Sequence, residues 1–320
     1  MVVCYVLLAA RCLGEEDCPM GGECAVGAEW VGKSATGVGI SLLSQFPYAR
    51  GRVFCVILMG IMDKKQKQKR SKENWIYGRR PVLEALRAGR REIMEVIVPS
   101  GPATDEVEEM ISIAHARRIP LRSAQRGECD RILGQVNHQC CAVKAGGYPY
   151  VSAEDIYSAA EDDPEAIVLL LDHIEDPQNL GSLLRTAEAC GVCGVIIPED
   201  RSVLVTPTVV RASVGASEHL QIAHVVNLTQ AMKELQERNV WLTGLDLNEN
   251  AKEYTDIDFR GRCGIVVGSE GAGLGSLVGK TCDFIGYIPM SGQVESLNAG
   301  VAGALVMYEA VRQKRAKGRK

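Results

Sequence analysis

No stretch of this 320-residue chain reaches the roughly 20 consecutive apolar residues that a membrane span needs. Residues 53–62 come nearest, and Gly60 interrupts them. Residues 2–10 have the apolar core of a leader, but no basic segment precedes them and Arg11 stands where a small-residue cleavage site would fall. Internal repeats are absent. The 5 histidines show neither a Ser-His-Asp arrangement nor a metal constellation, so no metal site is expected, and His173 and His219 read as structural. Cys190 and Cys193 have metal or redox spacing, but no second pair accompanies them. The 12 cysteines, five of them within the first 55 residues, then read as buried free thiols of a cytoplasmic protein rather than as a disulfide framework.

What is present is a chain long enough for two ordinary domains, with 46% hydrophobic and 24% charged residues. Its net charge of −4 conceals segregation: six of the nine residues 64–72 are basic, as are six of the last nine, while residues 154–165 carry six carboxylates. Basic ends on an acidic body suit contact with a polyanion, or are simply solvated tails. Residues 1–73 read as an extension outside the folded unit, rich in Cys and Gly up to Met62, which would serve as a start. Residues 74–146 alternate three short helices (79–88, 104–118, 127–133) with three strands (94–98, 120–123, 140–145), a small α/β module. Residues 147–166 read as a linker. Six apolar strands follow within residues 167–315, at 167–171, 194–197, 222–225, 240–245, 265–267 and 284–288. Helical patterns at 180–190, 207–217 and 228–238 separate the first four, which implies a parallel sheet covered on both faces. Residues 316–320 form a basic tail.

Three loops at strand ends carry chemistry. Asp176-Pro177-Gln178-Asn179 leads from the first strand into the helix bearing Arg185; Asp and Asn suit a helix N-terminus, and Arg185 could pair with Glu188 or grip a phosphate bidentately. The loop from Gly268 to Gly273 is glycine-rich, but it misses the dinucleotide-binding register and no acidic residue ends a following strand about twenty residues on, which disfavours a nicotinamide enzyme. It still lets a ligand approach the backbone, with Glu270 as an acceptor. Ser296 and Asn298 open a helix over 297–311 that is apolar almost all round, where glycine and alanine at 299, 300 and 302–304 predict close packing.

In order, DPQNLGSLLRTAEA (176–189), IVVGSEGAGL (265–274) and IPMSGQVESLNAGVA (288–302) resemble the motifs of the SpoU/TrmH family of SPOUT RNA ribose 2′-O-methyltransferases, and the likeness spans residues 74–315. The resemblance implies a C-terminal α/β domain with a parallel sheet and a trefoil knot. Before it stands a small N-terminal α/β substrate-binding domain of ribosomal-protein type, beginning at Ile76-Tyr77-Gly78. It implies a homodimer that uses S-adenosylmethionine. Gly268, Ile288 and Leu297 would contact that cofactor largely through backbone, with Leu245 and Met290 lining nearby. Glu270 and Asn298 match polar positions of the site, and Asn179, Arg185 and Ser296 match its remaining motif places. Arg185 is the favoured acceptor of the hydroxyl proton, acting with an RNA phosphate, although an arginine base needs strong pKa depression. The N-terminal module resembles that of members acting on a guanosine ribose of large-subunit (23S) ribosomal RNA. Transfer-RNA methylation and a catalytically silent RNA-binding or ribosome-assembly role are the alternatives. One departure is Asn137-His138-Gln139-Cys140-Cys141, where a small residue and then an aliphatic one would follow His-Gln.

Overall fold

The computed structural model describes residues 75–271, 273–293 and 296–317. The N-terminal extension, the Lys-rich run at 64–72 and the last three residues of the basic tail lie outside them. Two sheets organise the rest. The first has strands β1 (Trp75–Tyr77), β2 (Ile93–Pro99), β3 (Leu121–Ala124) and β4 (Ala142–Ala145), in the order β1-β4-β2-β3. Helices α1 (Arg79–Ala88), α2 (Asp105–Ala116) and α3 (Arg126–Leu133) alternate with them. Strand β1, too short to show a period, was not expected from sequence. Helix α1 ends as predicted, with Gly89 in the left-handed region at φ +62°.

The second sheet is parallel throughout, in the order β7-β6-β5-β10-β8-β11-β9. Its strands are β5 (Ile167–Leu171), β6 (Gly194–Pro198), β7 (Ile222–Val225), β8 (Trp241–Leu245), β9 (Lys252–Glu253), β10 (Cys263–Val267) and β11 (Phe284–Tyr287). Helices α4 (Ala153–Asp162), α5 (Pro177–Ala189), α6 (Pro207–Ala212), α7 (Leu228–Glu237), α8 (Ser276–Thr281) and α9 (Ala299–Lys317) connect and cover it. Strand β5, IVLLL, is buried at every residue, as a strand covered on both faces must be. Alternation sorts its side chains: Ile167, Leu169 and Leu171 join the core under α5 and α9, and Val168 and Leu170 the core under α4 and α7. The first core runs on into the N-terminal sheet through Ile76, Val82 and Leu86.

Three expectations change. Residues 153–162, read as linker, form α4; the Ser152–Asp155 capping box starts it, and Ile156, Tyr157 and Ala160 bury its inner face. The helix expected over 207–217 stops at Ala212, turns, and resumes as a 3₁₀ turn at Ala216–His219. Helix α9 begins at Ala299 and not at Leu297, and it carries apolar residues on both faces, with Val306, Met307 and Ala310 buried and Val301, Leu305 and Tyr308 exposed. Its glycines do pack closely: a Cβ on Gly303 would lie 2.5 Å from Leu183 Cδ2 on α5.

Candidate active site

Strands β10, β8 and β11 lie side by side and end level, with Val267 opposite Leu245 and Leu245 opposite Gly286. Their continuations bring Gly268, Leu245 and Ile288 to one sheet edge, beside the turn that opens α5 from β5. That is the carboxyl edge, where open α/β sheets hold ligands.

Each loop is built for its place. Asp176 caps α5 by accepting from the Asn179 N–H at 3.0 Å, with Pro177 in the first turn. After β10 the chain makes a tight hairpin, Ser269 and Gly273 exchanging backbone hydrogen bonds of 3.1 Å each way. Gly271 at φ +91° and Gly273 at φ +65° supply the left-handed turn. A Cβ on Gly268 would stand 2.3 Å from the Gly273 carbonyl oxygen, so only glycine fits there. Asp172 was not expected as a site residue. Buried at the end of β5, it accepts from the Gly275 N–H at 2.7 Å and ties this hairpin to the central strand. Its Oδ1 lies 2.5 Å from His173 Nδ1 and has no hydrogen-bond partner among the described residues. The available signal was a carboxylate directly following an entirely apolar strand.

The polar residues converge. Asn179 Nδ2 donates to Glu270 Oε2 at 3.0 Å, and Asn298 Nδ2 donates to Asn179 Oδ1 at 2.7 Å. Asn298 Nδ2 also lies 3.4 Å from Glu270 Oε2, while its own Oδ1 caps α9 through the Gly300 N–H at 2.9 Å. Glu270 is thus held on one oxygen by two amides; its Oε1 has no hydrogen-bond partner among the described residues. A cleft of about 530 Å³ opens beside Asn179 and Glu270, lined also by Asp176, Arg201 and Ser269.

The other predicted residues are placed differently. Leu245 and Ile288 are half-buried against the core, Met290 and Leu297 are partly exposed, and Ser296 is exposed. Arg185 lies on the exposed side of α5, outside the triangle, and pairs with no described residue, Glu188 included. Cys190 and Cys193 have thiols pushed up to about 11 by burial, and neither joins a cluster of three metal-ligating side chains among the described residues. Among those residues no helix is long and apolar enough to cross a membrane.

A parallel sheet with a glycine-rich backbone turn and an amide-held carboxylate at its carboxyl edge is an α/β protein whose loops can hold a ligand there. Comparison with known proteins makes this specific. Residues 166–308 match the model of the SpoU rRNA methylase family, and residues 75–151 that of the RNA 2′-O ribose methyltransferase substrate-binding domain. A putative TrmH family tRNA/rRNA methyltransferase of Bacillus subtilis, YacO, is 37% identical over 243 residues, 75% of this chain and 96% of the relative. A putative TrmH family tRNA/rRNA methyltransferase of Staphylococcus aureus is 39% identical over 240 residues, 75% of this chain and 96% of the relative. The crystal structure of the SpoU methyltransferase AviRb from Streptomyces viridochromogenes superposes with a TM-score of 0.65 at 24% identity, covering 79% of this chain and 93% of AviRb; a second AviRb structure holds AdoMet. The chain belongs to the SpoU/TrmH family of RNA methyltransferases, whose methyl donor is S-adenosylmethionine.

Proposed function

We propose that this enzyme methylates the 2′-hydroxyl of a guanosine ribose in large-subunit ribosomal RNA, as a homodimer. The observation that carries the site assignment is the Asn179–Glu270–Asn298 triangle, standing beside a backbone cradle at one sheet edge. The cradle suits S-adenosylmethionine: Gly268 leaves no room for a side chain, half-buried Leu245 and Ile288 stand at the ends of neighbouring strands, and Met290 and Leu297 are assigned to the same cofactor in this reading. Bound there, the cofactor supplies an electrophilic methyl group on a sulfonium.

The protein's own work is then positioning. Asn179 and Asn298 fix the Glu270 carboxylate, leaving Oε1 to accept a hydrogen bond from a ligand hydroxyl or amine. Asp172 holds the glycine hairpin at the height of β5. Arg185, unpaired and exposed, grips an RNA phosphate and bears on the hydroxyl proton, and Ser296 lies on the loop into α9. The N-terminal sheet, residues 74–146 in this reading, holds the RNA. Exposed Val301, Leu305 and Tyr308 form a stripe at i, i+4 and i+7 of α9, which supports the dimer.

Methyl transfer from labelled S-adenosylmethionine to unmodified large-subunit rRNA and to tRNA, with Arg185→Ala in parallel, tests the proposal. 2′-O-methylguanosine in the rRNA, lost in the variant, is the expected result. Label on tRNA alone overturns the substrate, and absence of cofactor binding overturns the catalytic role.

A further inference from the structure

The N-terminal sheet holds a second cluster of chemically capable side chains, far in sequence from every methyltransferase motif. Cys129 on α3, and His138 and Cys140 on the loop before β4, place one ligand atom each within 4.8 Å of one another. Cys129 is fully buried, His138 is 2% exposed and Cys140 is partly buried. We propose that these three residues bind a divalent ion of the zinc class.

Two thiols and an imidazole are the donor set that selects zinc among common cellular cations, because soft sulfur and borderline nitrogen suit it better than oxygen-seeking magnesium or calcium. On a tetrahedral zinc ion, ligand atoms lie about 3.3–3.8 Å apart, so a cluster spanning up to 4.8 Å closes by up to about 1.5 Å on binding. Three protein ligands leave a fourth position open. Both ring nitrogens of His138 already have partners: Nε2 lies 3.1 Å from Asp130 Oδ1, and Nδ1 accepts from the Cys140 N–H at 2.9 Å. The ion takes the ring by displacing one of them. Asp130 is the partner that can follow, since 3.1 Å is near the spacing of two ligands on one ion. A disulfide between Cys129 and Cys140 would use the same thiols and leave His138 in its present hydrogen bonds, so metal content and thiol mass distinguish the two.

The loop is tied into the sheet on its other side. Cys141 accepts from the Gly78 N–H at 3.0 Å, and Gln139 Oε1 from the Arg79 N–H at 3.1 Å. An ion would therefore pin α3, the loop and the start of α1 together.

The test is metal content of the full-length reduced chain, isolated with zinc present, followed by cobalt substitution. Cys140→Gly is the informative variant: position 140 has φ +53°, which glycine adopts without strain, so removing the thiol spares the fold. Cys129→Ala is the second variant, and Cys190→Ala the control. Expected are one equivalent of zinc fewer in the 129 and 140 variants than in wild type and control, and loss of the thiolate-to-cobalt charge-transfer band. Equal metal content in wild type and Cys140→Gly overturns the proposal. So does a metal-free wild-type protein in which mass spectrometry finds Cys129 joined to Cys140.

Discussion

Two polar networks in this molecule are built on opposite terms. Where the N-terminal sheet meets the larger one, Arg91 grips Glu218 bidentately at 2.7 Å and 2.7 Å, the side chains 5% and 1% exposed. The Arg91 guanidinium lies 4.8 Å from the Tyr148 ring centre, and the Tyr148 hydroxyl donates to the Leu220 carbonyl at 2.8 Å. Every charge there is spent on another part of the chain. At the carboxyl edge, Glu270 faces two amides, no cation holds it among the described residues, and one oxygen is left over. A closed network fixes geometry, whereas an open one keeps capacity for a ligand.

Breaking the closed network has the largest expected effect. Arg91→Ala leaves Glu218 as a buried, unpaired carboxylate and should lower unfolding free energy by about 3–5 kcal/mol, read by denaturant titration. The double variant Arg91→Met/Glu218→Leu should recover most of that loss, and failure to do so would show that the pair sets geometry beyond its charges. At the open network the order reverses: Asn179→Ala should lower kcat/KM about 100-fold while stability moves by only about 1 kcal/mol. A loss of stability without loss of rate would make the triangle a structural feature.

Next comes Gly268→Ala. The added methyl overlaps the Gly273 carbonyl and should cost about 1–3 kcal/mol. S-adenosylhomocysteine affinity, measured by calorimetry, should then fall about tenfold or more. The smallest effect is a pH dependence at the seam. His224 stacks on Tyr150 with ring centres 4.1 Å apart, and burial holds its pKa below the ordinary histidine value. The unfolded chain therefore binds the proton more readily, so stability should rise as pH climbs from the depressed folded value towards about 6.5. In His224→Phe that slope should flatten, as thermal melts between pH 5 and 7 will show.

Much of this was legible because local chemistry agreed with global placement. Asp176 and Pro177 announce the start of α5, and the apolar strands 167–171 and 265–267 announce a sheet covered on both faces. Asn179, Glu270 and Asn298 are drawn together from 91 and 119 residues away. Their motifs named them, but no spacing could have placed them in contact. Helix α4 was misread because the six carboxylates of residues 154–165, four of them on the helix, drew more notice than the Ser152–Asp155 cap and the apolar positions behind it. The Arg91–Glu218 pair joins residues 127 apart, and Cys129, His138 and Cys140 follow no familiar ligand spacing; such contacts exist only once the sheets are formed.

The position of β10 also constrains how the chain reaches this state. β10 lies between β5 and β8, yet it is made after both, so neither can complete its ladder until residue 267 is available. Until then a growing chain carries one part-sheet, β7-β6-β5, with an open edge at β5, and β8 as a lone strand whose other neighbour, β11, is made later still. Closure brings together residues as far apart as Ile167 and Cys263, the long-range pairing that slows folding. The last strand to enter the centre also carries the cofactor hairpin at its end. Binding competence and completion of the sheet should therefore appear in the same kinetic phase of refolding.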